Sequence, residues 1–172
     1  MKDICFAGGC FWGMEHFFKM MDGVMRTEVG YANGHTVAPT YKEVCTDTTG
    51  HAETVHVTYD ENAIALNDLL DLFFAAIDPT SVNKQGEDEG TQYRTGIYYV
   101  DEADRAVIDA KMAQVATHYS QPLAVEVLPL QYFYPAEDYH QDYLDKNPDG
   151  YCHISPELFK MAREFRRKSS KL

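Results

Sequence analysis

Two periods of apolar residues run along this chain, and they separate strands from helices. Ile4-Cys5-Phe6-Ala7 is an unbroken apolar run, which predicts a strand that Gly8-Gly9 ends in a tight turn. Met14, Phe17, Phe18 and Met21 then recur at helical spacing, so a helix opens near residue 10. Residues 24–31 predict a second strand, after which Ala32-Asn33-Gly34 turns the chain into a loop that passes Pro39 and reaches Tyr41. Residues 53–59 alternate and are rich in β-branched side chains, a third strand. Leu66, Leu69, Leu70, Phe73, Phe74 and Ile77 form one helical face, stopped by Asp78-Pro79. A polar loop over 81–92 leads to a strand at 95–100 and a long helix over 101–119, with Asp101 as its N-cap. Residues 125–130 predict a further strand. Tyr139, His140, Tyr143 and Leu144 are helically spaced within 136–146, and Ser155-Pro156 opens a last helix with proline in its first turn.

Strands and helices that alternate in this way, with several antiparallel-looking pairs, predict an α+β fold. The expected architecture is a two-layer sandwich with a ferredoxin-like core and a mixed or antiparallel sheet. A coil-rich C-terminal segment should wrap that core and finish in a terminal helix. A chain of 172 residues and 19.6 kDa suits one domain over 1–172, with a core of about 1–130 and a wrapping segment of about 131–172.

Charge narrows the function. The net charge of −12 repels a phosphate backbone and argues against nucleic acid as a partner. The charge is uneven, because the residues from Pro156 onward carry +4 and the first 155 carry −16. Such a basic end is expected to pack back onto the acidic body or stay solvated. No apolar run approaches the roughly 20 residues that span a bilayer, and the first strand begins at once, so a cytoplasmic protein off the membrane is expected. Cysteines at 5, 10, 45 and 152 contain no CxxC pair, a spacing that fits neither a secreted disulfide framework nor a zinc site. His51 and His56 are five apart without further ligands, so no metal is expected.

The chemistry is concentrated at Gly9-Cys10-Phe11-Trp12-Gly13. Cys10 falls where a strand hands over to a helix, and the free N–H groups and dipole of the helix N-terminus favour a thiolate there. Two large aromatics follow and can wall an apolar pocket. Cys5, inside a strand, reads as a buried hydrophobe, and Cys45 reads the same way. Cys152 follows the bend Asn147-Pro148-Asp149-Gly150 and is equally a mobile thiol or merely an exposed one. Glu53 is either a solvated strand end or a carboxyl facing a pocket, where burial would keep it protonated as an acid. Tyr41 and Tyr93 are two of twelve tyrosines, and Asp88 lies in an acidic loop; composition alone makes all three ordinary.

Four ordered blocks carry a resemblance. Gly9-Cys10-Phe11-Trp12-Gly13 is the first. Tyr41-Lys42-Glu43-Val44-Cys45 with Thr49-Gly50-His51-Ala52-Glu53 is the second. The stretch from Gln85 to Arg94 is the third, and the stretch from Ala136 to Cys152 is the fourth. Together they resemble the peptide methionine sulfoxide reductase A family over residues 4 to about 152.

The resemblance implies a role for each residue. Cys10 attacks the sulfoxide sulfur, and Glu53 protonates the departing oxygen. Tyr41 and Tyr93 hydrogen-bond that oxygen, and Asp88 helps to position the groups around the sulfur. Phe11 and Trp12 enclose the S-methyl group and set the preference for the S epimer. Cys10 is left as a sulfenic acid, which condenses with a second thiol. By resemblance that thiol is Cys152, and thioredoxin or another dithiol then reduces the Cys10–Cys152 disulfide. The family implies no cofactor, oxidised proteins and free methionine sulfoxide as substrates, and a monomer. Many relatives carry a glycine-rich tail with another cysteine after the resolving one. Here His153-Ile154-Ser155-Pro156 follows Cys152 without a later cysteine, so one resolving step is expected. Two other classes compete: a cysteine hydrolase with His51 or His140 as base, and a non-catalytic module that binds methionine-rich or oxidised peptides.

Overall fold

Phe6 lies where the two layers of the fold meet, stacked on Phe18 at 4.8 Å between ring centroids and 4.9 Å from Phe73. Alternate residues of a strand point to opposite faces. Ile4 and Phe6 therefore enter the main core, while Cys5 and Ala7 enter a smaller cluster behind the sheet with Ala32, Ala52 and Tyr98. Both sides of the first strand are covered, which explains its unbroken apolar run.

The structure is a computed structural model and describes residues 1–165. Its elements are β1 (Lys2–Gly8), α1 (Phe11–Lys19), β2 (Val24–Ala32), α2 (Tyr41–Cys45), β3 (Ala52–Tyr59) and α3 (Leu66–Ala76). Then come β4 (Lys84–Gln85), β5 (Asp88–Glu89), β6 (Thr95–Tyr99), α4 (Asp104–Ala116), β7 (Glu126–Pro129), β8 (Phe133–Pro135), α5 (Tyr143–Lys146) and α6 (Pro156–Glu164).

The main sheet has the order β7-β6-β1-β3-β2-β8. Its four central strands are antiparallel, and with α1 after β1 and α3 after β3 they form the βαββαβ unit of a ferredoxin-like core. β7 joins parallel to β6 at one edge, and β8 joins antiparallel to β2 at the other, so the sheet is mixed. The expected α+β sandwich is the fold observed. Truncating a side chain as enclosed as Phe6 to alanine costs about 3–5 kcal/mol by the usual behaviour of core aromatics.

Several local expectations change. The long helix starts at Asp104 rather than 101, because the Asp101 carboxylate accepts the Ala103 N–H at 3.0 Å and pairs with Lys2 at 3.4 Å. Asp101 thus closes the preceding turn and does not cap the helix. The polar loop over 81–92 contains the β4–β5 hairpin and runs into a 3₁₀ turn over Thr91–Tyr93. Residues 136–146 are not one helix. Asp142 adopts a left-handed φ of 55° and gives its N–H to buried Glu15 at 2.8 Å, which separates a 3₁₀ turn from α5.

Residues 34–41 lead into α2, a helix the apolar pattern misses. A reciprocal cap starts it: Glu43 N–H donates to Thr40 Oγ1 at 3.2 Å, and Thr40 N–H donates to Glu43 Oε1 at 2.8 Å. Cys45, expected to be buried, ends this short helix and is exposed. Cys5 is buried as expected. The last helix begins at Pro156 with Ser155 as its cap, as predicted. Arg166, Arg167, Lys168 and Lys171 lie outside the described residues, and so does the expectation for the basic end.

Candidate active site

Gly9 makes the turn that leads into Cys10. Its φ is +88°, and a Cβ there would sit 2.8 Å from Gln85 Cβ, so both backbone and space require glycine. Cys10 follows as the N-cap of α1 and is only 6% exposed. Burial pushes its thiol well above the ordinary value, and the neighbouring Glu53 adds to this. The N–H groups of Trp12 and Gly13 act the other way, as expected of a helix N-terminus, but they do not outweigh burial. Cys10 therefore rests as a thiol, whereas the sequence predicts a thiolate.

Glu53 is the second residue of β3, opposite Tyr31 in the sheet register, and is 1% exposed. One carboxyl oxygen accepts the Phe11 N–H at 3.2 Å, and the other is buried without a partner among the described residues. Burial pushes its pKa up to about 8, against the lowering pull of the Phe11 N–H, and Asp88 adds to the rise. At neutral pH the carboxyl is mostly protonated. It has a hydrogen to give and no acceptor for it among the described residues.

Tyr41 opens α2 and Tyr93 ends the 3₁₀ turn before β6. Burial raises both phenols, and Glu53 is the next cause in each case, so both hydroxyls stay protonated and face the same carboxyl. Tyr41 is anchored through its N–H to Glu137 Oε2 at 2.9 Å, and its hydroxyl also meets Cys45. Asp88 accepts the Tyr151 hydroxyl at 2.9 Å, which ties the β4–β5 hairpin to the residue before Cys152.

The aromatic wall is held from behind. Trp12 stacks on Tyr143 at 3.8 Å and donates from Nε1 to His140 Nδ1 at 2.9 Å. Phe11 is buried against Tyr31 and His140. Burial lowers the His140 pKa, so its ring is neutral at pH 7 and Nδ1 can accept. His51 accepts the Gly34 N–H at Nδ1, and its Nε2 bonds the Thr36 carbonyl at 2.7 Å. The two histidines a hydrolase would need are thus both engaged away from Cys10. Among the described residues, no group of three or more His, Cys, Asp or Glu could hold a metal ion.

Cys152 is half-buried and free. Its sulfur accepts the Ile154 N–H at 3.4 Å, and its thiol donates to the Ile154 carbonyl at 3.6 Å. It packs so close to α1 that a Cβ on Gly13 would lie 3.1 Å from the sulfur. The Gly13 N–H also reaches the Cys10 sulfur, so the two thiols flank one residue. Cys10, Phe11, Trp12, Tyr41, Glu53, Asp88, Tyr93 and Cys152 thus lie at one end of the sheet, and Cys45, read from the sequence as a bystander, borders them through the Tyr41 hydroxyl.

The family model for peptide methionine sulfoxide reductase matches residues 2–171. The chain belongs to the peptide methionine sulfoxide reductase family. It is 58% identical over 160 residues to peptide methionine sulfoxide reductase MsrA of Clostridium acetobutylicum, spanning 93% of this chain and 99% of that protein. Among solved structures it resembles Mxr1 of Saccharomyces cerevisiae in reduced form, at 40% identity and a TM-score of 0.84, over 90% of this chain and 92% of that one. A structure of Mxr1 in complex with Trx2 matches at 27% identity and a TM-score of 0.58, over 83% of this chain and 85% of that one.

Sequence reasoning passed over several residues of this family member's site. The sequence shows Glu137 only within a family block, and His140 in a helical pattern, in that block and as a base for the competing hydrolase. Yet Glu137 accepts from both the Tyr41 N–H and the Tyr31 hydroxyl, and these bonds outweigh burial and hold its carboxyl below the ordinary value. Tyr151 and His153 flank Cys152 and anchor it to β5 and to Gly8. No local period marks such residues, because each acts across more than 60 positions of sequence.

Proposed function

We propose that the chain reduces methionine S-sulfoxide, free and in oxidised proteins, to methionine by thiol chemistry. The observation that carries this reading is the unpaired, protonated oxygen of Glu53 beside a buried cysteine. A sulfoxide oxygen is a strong acceptor and would complete that oxygen's missing hydrogen bond. The Tyr41 and Tyr93 hydroxyls are further donors for it. Trp12 and Phe11 supply apolar surface for the S-methyl group, and Asp88 orders the hairpin around the sulfur.

Cys10 attacks the sulfoxide sulfur while Glu53 gives its proton to the oxygen. Keeping Glu53 neutral also removes the charge that would oppose a thiolate at Cys10. Methionine leaves, the oxygen passes to Cys10 as a sulfenic acid, and the Cys10 proton restores Glu53 in net balance. Cys152 then displaces the hydroxyl to give the Cys10–Cys152 disulfide and water. A thioredoxin-like dithiol reduces the disulfide, a partnership supported by the Mxr1–Trx2 structure. Thiols supply the electron pair throughout, so no prosthetic group enters the cycle. A disulfide needs Cα atoms within about 7 Å, and we expect residues 147–152 to shift to meet that. Identical backbones in oxidised and reduced protein would refute the shift.

The core contributes Cys10 and the wrapping segment contributes Cys152, so we take residues 1–172 as one catalytic domain working as a monomer. Four free cysteines suit a reducing compartment, and we assign the cytoplasm. No helix among the described residues is long and apolar enough to cross a membrane.

The test is reduction of both sulfoxide epimers by wild type, Cys10→Ser and Cys152→Ser, driven by dithiothreitol and by thioredoxin. The expected result is S-epimer reduction, abolished in Cys10→Ser and uncoupled from thioredoxin in Cys152→Ser. Turnover of the R epimer alone, or none by wild type, would overturn the reading.

A further inference from the structure

His153 follows Cys152 directly and has a geometry the cycle above leaves unused. Its Nε2 lies 3.0 Å from the Gly8 carbonyl oxygen. A carbonyl can only accept, so Nε2 carries the ring hydrogen and Nδ1 holds a free lone pair. That Nδ1 is buried and has no partner among the described residues. It points at the same place as the resolving sulfur: a Cβ on Gly13 would meet Cys152 Sγ at 3.1 Å and His153 Nδ1 at 3.3 Å. Glycine at 13 leaves the space between them open.

We propose that His153 is the proton acceptor for the resolving thiol, its Nδ1 taking the Cys152 proton as that sulfur attacks the Cys10 sulfenic acid. The step balances internally. The S–S bond forms as the S–O bond of Cys10 breaks, the Cys152 sulfur is oxidised and the Cys10 sulfur reduced, and the departing hydroxide collects the proton from Nδ1 as water. The imidazole then regains its resting tautomer through the Gly8 bond it never releases.

The surroundings suit this role. Burial lowers the His153 pKa, so the ring is neutral at pH 7 with the Nδ1 lone pair free, and burial also raises the Cys152 thiol, which therefore needs a proton acceptor to react. The charge that bears on the ring from a neighbouring element is Asp88 of β5, which favours the imidazolium as it forms. On the strand-to-helix turn the glycines at 9 and 13 make room for the ring: a Cβ would lie 3.1 Å from Nε2 at Gly9 and 3.3 Å from Nδ1 at Gly13. The bond to the Gly8 carbonyl holds the ring in place while Cys152 moves.

This inference rests on the reading of Cys10 and Cys152 given above, and one experiment separates the two. His153→Gln keeps a donor for the Gly8 carbonyl and deletes the base. In a single turnover with excess methionine S-sulfoxide and no external reductant, methionine release and thiol loss are followed together, with dimedone trapping any sulfenic acid. In wild type the disulfide should form as methionine appears. In His153→Gln disulfide formation should trail methionine by about tenfold to a hundredfold, the range of a lost general base, with Cys10 trapped by dimedone. The delay should shrink as pH rises and Cys152 ionises unaided. His153→Asn, which lacks the base but breaks the Gly8 bond, should show the same delay and serves if the glutamine variant folds poorly. Disulfide formation that keeps pace in both variants, or a delay equal at every pH, overturns the proposal. No methionine from wild type would overturn the underlying reading instead.

Discussion

Glu53→Gln should change how stability depends on pH, and the size of the change follows from burial. The folded protein holds the Glu53 proton with a pKa of about 8, while the unfolded chain releases it at the ordinary 4.5. The folded state therefore binds the proton more tightly. The stabilisation this gives is present in full below about pH 4.5 and is lost as pH rises toward 8. At about 1.4 kcal/mol for each tenfold difference in proton affinity, the loss between pH 5 and 7.5 is about 3 kcal/mol. Glutamine keeps an acceptor for the Phe11 N–H but cannot titrate, so its variant lacks that loss. Other raised or lowered groups, such as Glu15 and His140, are common to both proteins and cancel in the difference. Urea unfolding of reduced wild type and variant at pH 5, 6, 7 and 7.5 measures the effect. The variant's midpoint should gain about 1–3 M on wild type across that span. A constant gap between the two would mean that Glu53 ionises normally in the fold, and the account of it as a buried acid would be wrong.

Activity should fall as pH rises through about 8, because Glu53 loses the proton it must donate, and Glu53→Gln should abolish that limb along with most of the rate; methionine release in single turnovers reads this. Trp12→Phe leaves the buried Nδ1 of His140 unpaired, which should cost about 1–3 kcal/mol in a denaturant titration and raise KM for the sulfoxide. Cys45→Ser should leave thioredoxin-coupled turnover nearly intact, since the thiol is exposed and serine keeps a polar partner for the Tyr41 hydroxyl; a large loss would place Cys45 in the recycling relay.

The main elements could be read from the chain because each rests on local information. β1, β3 and α3 have apolar periods that survive tertiary packing, and the Gly8-Gly9 turn and the Ser155-Pro156 start are local backbone chemistry. The same locality placed Cys10 at the start of a helix, which needs only a strand, a turn and a helix within twenty residues. The segment over 136–146 could not be read this way. Its spacing is helical, but buried Glu15, more than a hundred positions away, claims the Asp142 N–H and breaks the helix. The missed α2 had a local signal, the Thr40–Glu43 cap, though its apolar content was too small for the period to show.

Protonation states were decided by tertiary structure alone. A cysteine at a helix N-terminus predicts a thiolate, and the local donors do pull that way, but burial reverses the balance, with the carboxyls of Glu53 on β3 and Asp88 on the hairpin adding to it. Glu53 becomes an acid for the same reason: desolvation depends on everything packed around a group. The pairing of His140 with Trp12, and of His153 with Gly8, likewise joins residues more than 120 positions apart. Residue types and their order thus determined which groups could react, and the packing of distant segments determined which of them carry protons.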